Sequence, residues 1–113
     1  MPQYMLLLYA PEADDVERAE RDAELPVWFE LIDSLREDGV LLANGRLAPV
    51  DSATTLRVRD GNAEISDGPF AATKEILGGY FLVECRDLDH ALATAERLPL
   101  ARYGSVEVRP IVA

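Results

Sequence analysis

Gly78-Gly79-Tyr80-Phe81-Leu82-Val83-Glu84-Cys85, followed by Asp87 and then by Leu88, Ala91, Leu92, Ala95 and Leu98, is the stretch whose reading decides the fold. Eight residues rich in aromatic and aliphatic side chains form a strand entered through two glycines, which permit a bulge or a close backbone approach there. Asp87 stands where an N-cap side chain accepts backbone N–H groups, and the apolar positions after it recur at helical spacing on one face. Pro99 ends that helix. Beyond it, Ser105-Val106-Glu107-Val108-Arg109-Pro110 alternates apolar and polar residues, as a strand with one covered face does. Strand, helix and strand make one βαβ-like half.

Working back from Gly78, a similar half precedes it. Tyr4-Met5-Leu6-Leu7-Leu8-Tyr9 has no polar alternation and suits a central strand covered on both faces. Asp14 and Asp15 begin a helical turn, Pro26 starts or kinks the main helix, and Trp28, Leu31, Ile32 and Leu35 repeat along one stripe. Gly39 occupies the left-handed C-terminal cap. Val40-Leu41-Leu42-Ala43 reads as a second strand running into an Asn44-Gly45 turn. Between the halves, Thr54 to Arg59 and Asn62 to Ser66 flank Asp60-Gly61, whose residues tolerate the positive φ of a type I′ hairpin turn.

The order is that of an α+β, ferredoxin-like split βαβ with an inserted β-hairpin: an antiparallel sheet with both helices on one face. The other face is then wet or paired with a second subunit. Alternation places Tyr80, Leu82 and Glu84 of one strand and Ser105, Glu107 and Arg109 of another on that open face, a mixture suited to a lined cavity.

At 113 residues, 49% hydrophobic and 28% charged, the chain reads as one globular domain spanning 1–113. Met1 to Tyr4 lacks a basic signal-peptide region, and the apolar run Met5 to Ala10 is too short for a membrane span. Cys85 is the only cysteine, so no internal disulfide forms, and the thiol reads as core filling in a cytoplasmic protein. A net charge of -10 argues against nucleic acid, which is bound through Lys and Arg. Residues 12–38 hold 11 acidic and 3 basic residues, concentrating the acid on one helical region read as a solvated surface.

Much of the usual catalytic inventory is missing. His90, the only histidine, falls off the apolar stripe and reads as solvent-facing. Histidine-rich and cysteine-based metal sites are excluded by count, and no P-loop, G-x-S-x-G or dinucleotide fingerprint occurs. No metal and no cofactor are expected. The informative segment is Asp67-Gly68-Pro69-Phe70-Ala71-Ala72-Thr73-Lys74-Glu75-Ile76-Leu77-Gly78-Gly79-Tyr80. Lys74 is the only lysine beside ten arginines, so the position suggests a need for a compact point charge rather than a planar fork. With Asp67 and Glu75 it forms a candidate proton-transfer or ligand-binding group. Its structural alternative is an Asx-type turn at Asp67 with local ion pairs for Lys74 and Glu75. Arg57, Arg59 and Arg109 are candidates for holding an anion, or else partners of Glu64, Glu84 and Glu107 across strands. Trp28 and Phe29 read as core or dimer packing.

The Asp67-Gly68-Pro69-Phe70 tetrapeptide, with Thr73-Lys74-Glu75 and Leu77-Gly78-Gly79-Tyr80, resembles the DGPF group of YCII-related proteins. Tyr4-Met5-Leu6-Leu7, Thr55-Leu56-Arg57-Val58, Asp89 with Ala91, and Glu107-Val108-Arg109-Pro110 also match, so the resemblance covers nearly the whole chain. It implies a dimeric α/β-barrel, in which two open sheet faces meet around a cavity, and a gene often near an extracytoplasmic-function sigma factor. The histidine–aspartate pair proposed for the broader family does not carry over, because no histidine precedes His90. Two functions follow from these readings. One is an enzyme acting on a small polar or anionic molecule at the homodimer interface, with Asp67 or Glu75 as acid or base, Lys74, Arg57 or Arg109 holding the anion and Tyr80 lining the wall. The other is a non-catalytic regulatory or accessory module associated with such a sigma factor.

Overall fold

The computed structural model describes residues 1–112. Strand β1 (Gln3–Pro11) leads through helices α1 (Asp15–Ala23) and α2 (Leu25–Glu37) into β2 (Leu41–Arg46). A two-stranded arm, β3 (Thr54–Arg59) and β4 (Asn62–Asp67), comes next, then β5 (Glu75–Glu84), α3 (Leu88–Glu96) and β6 (Ser105–Pro110). The main sheet has the order β2-β5-β1-β6 and every neighbouring pair is antiparallel. This α+β arrangement is consistent with a ferredoxin-like fold.

Alternation along the two central strands divides the sheet's faces. Tyr4, Leu6 and Leu8 of β1 and Phe81 and Val83 of β5 are buried beneath Leu31 and Leu35 of α2 and Ala91 and Ala95 of α3. Trp28 meets Phe81 edge-on, ring centroids 6.0 Å apart, a favoured aromatic geometry. Each fully buried Leu or Val contributes about 1.5–3 kcal/mol, so this single layer of contacts is what holds helices to sheet. Leu88 and Leu92, assigned by spacing to the stripe of α3, lie at its margin, each 48% exposed. The other face, with Met5 and Leu7 of β1 beside Tyr80, Leu82 and Glu84 of β5, is covered by no helix among the described residues and is half-buried.

Local chemistry sets the element ends. Asp14 caps α1 through a capping box with Glu17, Pro26 sits in the first turn of α2, and Asp87 Oδ1 accepts the His90 N–H at 2.8 Å. Gly39 closes α2 at φ +72°, a conformation costly for any residue with a Cβ.

Two expectations are corrected. Asn44-Gly45 is no turn: β2 runs through it to Arg46, pairing Asn44 with Phe81 and Gly45 with Tyr80. A Cβ at 45 would lie 2.6 Å from the Tyr80 ring, so a larger residue there would have to push that ring aside, while Asn44 accepts a hydrogen bond from Arg36. Strand β5 also begins at Glu75 rather than Gly78. Leu8 pairs with Gly79 and Tyr9 with Leu77, leaving Gly78 as the extra residue of a β-bulge.

The arm stands apart. Strands β3 and β4 pair only with each other, turning through Asp60 and Gly61 at φ +52° and +77°. Its register sets Leu56 against Ile65 and Val58 against Ala63, so one face of the ribbon is apolar. Leu56, Val58 and Ile65 are 60–71% exposed. The radius of gyration, 16.0 Å, exceeds the roughly 13 Å of a compact chain this long, as a projecting arm requires. No helix among the described residues is long and apolar enough to cross a membrane.

Candidate functional site

The residues singled out by sequence fall at three places. Lys74 lines a wide-mouthed cleft of about 1080 Å³ between the foot of the arm and the end of the main sheet. Tyr9 and Leu77, paired on the open face, form its floor, and Phe70 and the 47–53 segment form its walls. The serine and threonine hydroxyls around it are already engaged. Thr55 Oγ1 donates to the Gly68 carbonyl at 2.8 Å, Ser52 Oγ to Pro49 at 2.6 Å, and Thr73 Oγ1 to Glu75 at 2.5 Å. These bonds, with Gly68 N–H donating to Ala53 at 2.7 Å, hold the loop that carries Lys74. Gly68 at φ +91° makes that turn possible. The charged groups left in the cleft are Lys74, Glu12 and Asp51, and Lys74 has no carboxylate within 4.0 Å among the described residues.

Asp67 and Glu75 do not join Lys74 in an ion pair. Asp67 ends β4 opposite Thr54, exposed and outside the cleft lining, and its carboxylate caps no turn. Glu75 opens β5 opposite Pro11 and is half-buried. Arg57 lies on the arm across from Glu64 without closing an ion pair. The cross-strand alternative therefore has its register but not its contact there.

Tyr80 and Arg109 occupy the open face. Tyr80 lies beside Leu7, and Leu7 in turn beside Glu107, while Arg109 sits beside Met5. Arg109 pairs with Glu107 on its own strand, so one cation of this face is already neutralised. From the Tyr9 end, where the cleft opens, to the Met5 row of Arg109 is four residues of strand, about 13 Å. Lys74 and Arg109 thus mark opposite ends of one surface.

The remaining candidates serve the fold. His90 is half-buried rather than free in solvent, and its Nδ1 accepts the Arg86 N–H at 3.1 Å. Cys85 is fully buried; burial pushes its thiol pKa up, against a smaller opposing effect of the Thr94 hydroxyl, which disfavours the thiolate a nucleophile needs. Among the described residues, no three His, Cys, Asp or Glu side chains gather as metal ligands do. Sequence reasoning missed Tyr9, Glu12 and the 47–53 segment. Tyr9 read as strand filling, and the segment carried no motif. The one signal that could have found this wall is Phe70, an aromatic in a Gly-Pro turn that reads by sequence only as part of the 67–80 segment.

Comparison with known proteins gives two findings. The YCII-related domain family matches residues 3–113. An uncharacterized protein of Rhizobium meliloti (strain 1021) is 47% identical over 77 residues, 66% of this chain and 62% of that protein. The chain thus spans about three fifths of the length of the curated relative it matches.

Proposed function

This chain belongs to the YCII-related family, and from that membership we propose that it binds a small polar or anionic molecule in a cavity closed by a second copy of itself. Lys74 is the anchoring charge. The observation that carries the reading is an unpaired ammonium in a cleft whose serine and threonine hydroxyls are engaged, opening onto a sheet face that no helix among the described residues covers. Apposition of two such faces would enclose the cleft mouth, bury Met5, Leu7 and Leu82, and place Tyr80 and Arg109 on the cavity wall. Within the family, Asp67-Gly68-Pro69-Phe70 supports membership of the DGPF group, and the bacterial relative and lone thiol support a cytoplasmic setting. Acid–base roles for Asp67 or Glu75 have less support than binding, since neither carboxylate sits against Lys74.

The test joins sedimentation to ligand titration. The wild-type protein should sediment as a dimer and bind small carboxylates or phosphates, and Lys74→Ala should weaken binding about tenfold or more, the value of a charge-assisted hydrogen bond. Asp67→Asn should leave binding unchanged. A strictly monomeric protein, or equal binding by Lys74→Ala, would sink the reading. One feature favours a second reading, an accessory module for an extracytoplasmic-function sigma factor: the uncovered apolar face of the arm suits a protein partner. Under that reading the sigma factor co-purifies with the wild-type protein and is lost on Ile65→Lys.

A further inference from the structure

The helical side of the sheet carries a second hollow, and its origin lies in one missing side chain. Position 79 alternates with Phe81 and Val83 on the helix-covered face, where a side chain belongs. A Cβ there would stand 2.8 Å from the Gly45 carbonyl oxygen, so the close approach of β2 to β5 demands glycine. With nothing at 79 to fill it, a space of about 370 Å³ remains between the sheet and the first turns of α2. Leu8, Leu25, Trp28, Ile32 and Phe81 make it apolar.

Its mouth is cationic. Arg21 of α1 and Arg46 of β2 both reach the hollow. Arg21 lies over the Tyr103 ring, 4.6 Å from its centroid, and has no carboxylate within 4.0 Å among the described residues. Stacking occupies the face of a guanidinium and leaves its N–H edge for a carboxylate. Arg46 has only Asp22, 3.8 Å away, with both side chains largely exposed, so that pair is weak. Glu24 is held by Arg102 at 3.2 Å. Two guanidiniums thus stand over an apolar hollow in a chain of net charge -10.

We propose that this hollow binds a monoanionic amphiphile, a carboxylate borne on an aliphatic or aromatic body, with the body against Trp28, Ile32 and Phe81 and the carboxylate at Arg21 and Arg46. Asp22 and Glu24 near the mouth repel a second negative charge, which favours a monoanion over a dianion. The volume matches about a dozen water-sized groups at ~30 Å³ each, an acid of roughly eight to ten carbons. The site lies across the sheet from the open face and does not depend on the role given to Lys74.

Trp28, the only tryptophan, reports on it directly. Octanoate, titrated into the full chain, should shift Trp28 emission saturably, and octan-1-ol should need about tenfold more or higher to do the same. Arg21→Gln and Arg46→Gln, checked by circular dichroism for an intact fold, should each remove that advantage and leave the octan-1-ol response unchanged. Lys74→Ala, on the other side of the sheet from Trp28, should leave the Trp28 emission response to octanoate unchanged, whatever it does to binding in the cleft beside the arm. The inference falls if emission does not respond, if acid and alcohol act alike on the wild type, or if both arginine variants retain the preference. It also falls if Lys74→Ala abolishes the response, since octanoate would then be in the cleft beside the arm.

Discussion

A glycine, a thiol and a phenol set the sharpest expectations at the scale of single residues. Gly45→Ala should destabilise the protein by about 1 kcal/mol in urea unfolding, the low end of the overpacking range, because the half-buried Tyr80 ring must swing aside. Because the obstructing group is the Tyr80 ring, Tyr80→Ser should erase most of that cost in the double variant. An unchanged cost would mean the strand backbone, not the ring, requires glycine. Burial raises the Cys85 thiol pKa, and burial followed by the nearby Glu24 charge raises that of the Tyr103 phenol. For a raised folded pKa the unfolded chain loses its proton first, so stability is whole below the unfolded value and drains as pH climbs past it. Unfolding free energy should therefore fall above about pH 8.5, where an unfolded thiol begins to ionise, and Cys85→Ala should flatten the first part of that decline. A slope unaltered by Cys85→Ala would assign the decline to other groups.

Elements show what the sequence made legible and what it hid. The strands and long helices could be read because their period is written in the apolar positions, as in Trp28 to Leu35 and Val106 to Val108, and because Asp14, Gly39 and Asp87 mark ends by backbone chemistry. Asn44-Gly45 misled because a turn dipeptide and a strand glycine beneath an aromatic ring look alike until β5 is laid beside β2. The extent of the arm's isolation was equally hidden: alternation of Leu56, Val58 and Ile65 announces one covered face and does not say what covers it. Helix α1 buries no residue, leaving it to its capping box and the Arg21–Tyr103 stack. Asp14→Ala should thus cost about 1 kcal/mol or less globally, yet raise amide exchange selectively across residues 15–23. Uniform exchange along the chain would contradict that account. The Lys74 cleft was legible only in part, through the single lysine and Phe70. Its other walls come from segments whose proximity is set by the paths of β2 and β5 and by no local pattern.

For the whole molecule, the acid on α1 and α2 lies on the helical layer and the uncovered sheet surface on the opposite side. Two copies meeting through that surface would keep their most acidic layers outward, but at -10 each they still repel over a Debye length of about 10 Å at 0.1 M salt. The dimer dissociation constant should accordingly fall as sodium chloride rises from tens to hundreds of millimolar, followed by sedimentation equilibrium; a constant that climbs with salt would make opposed charges, not apolar contact, the source of association. The pairing of Tyr4 with Pro110 and of Tyr9 with Ser105 has a temporal consequence as well. During synthesis the first strand emerges with one flank waiting for a segment made about a hundred residues later, so the sheet stays incomplete until everything between them has been made. Release of a chain stopped at Arg102 would leave that flank of β1 bare, a template for unwanted pairing, whereas the Asp60-Gly61 ribbon, whose contacts are local, has everything it needs to zip closed long before.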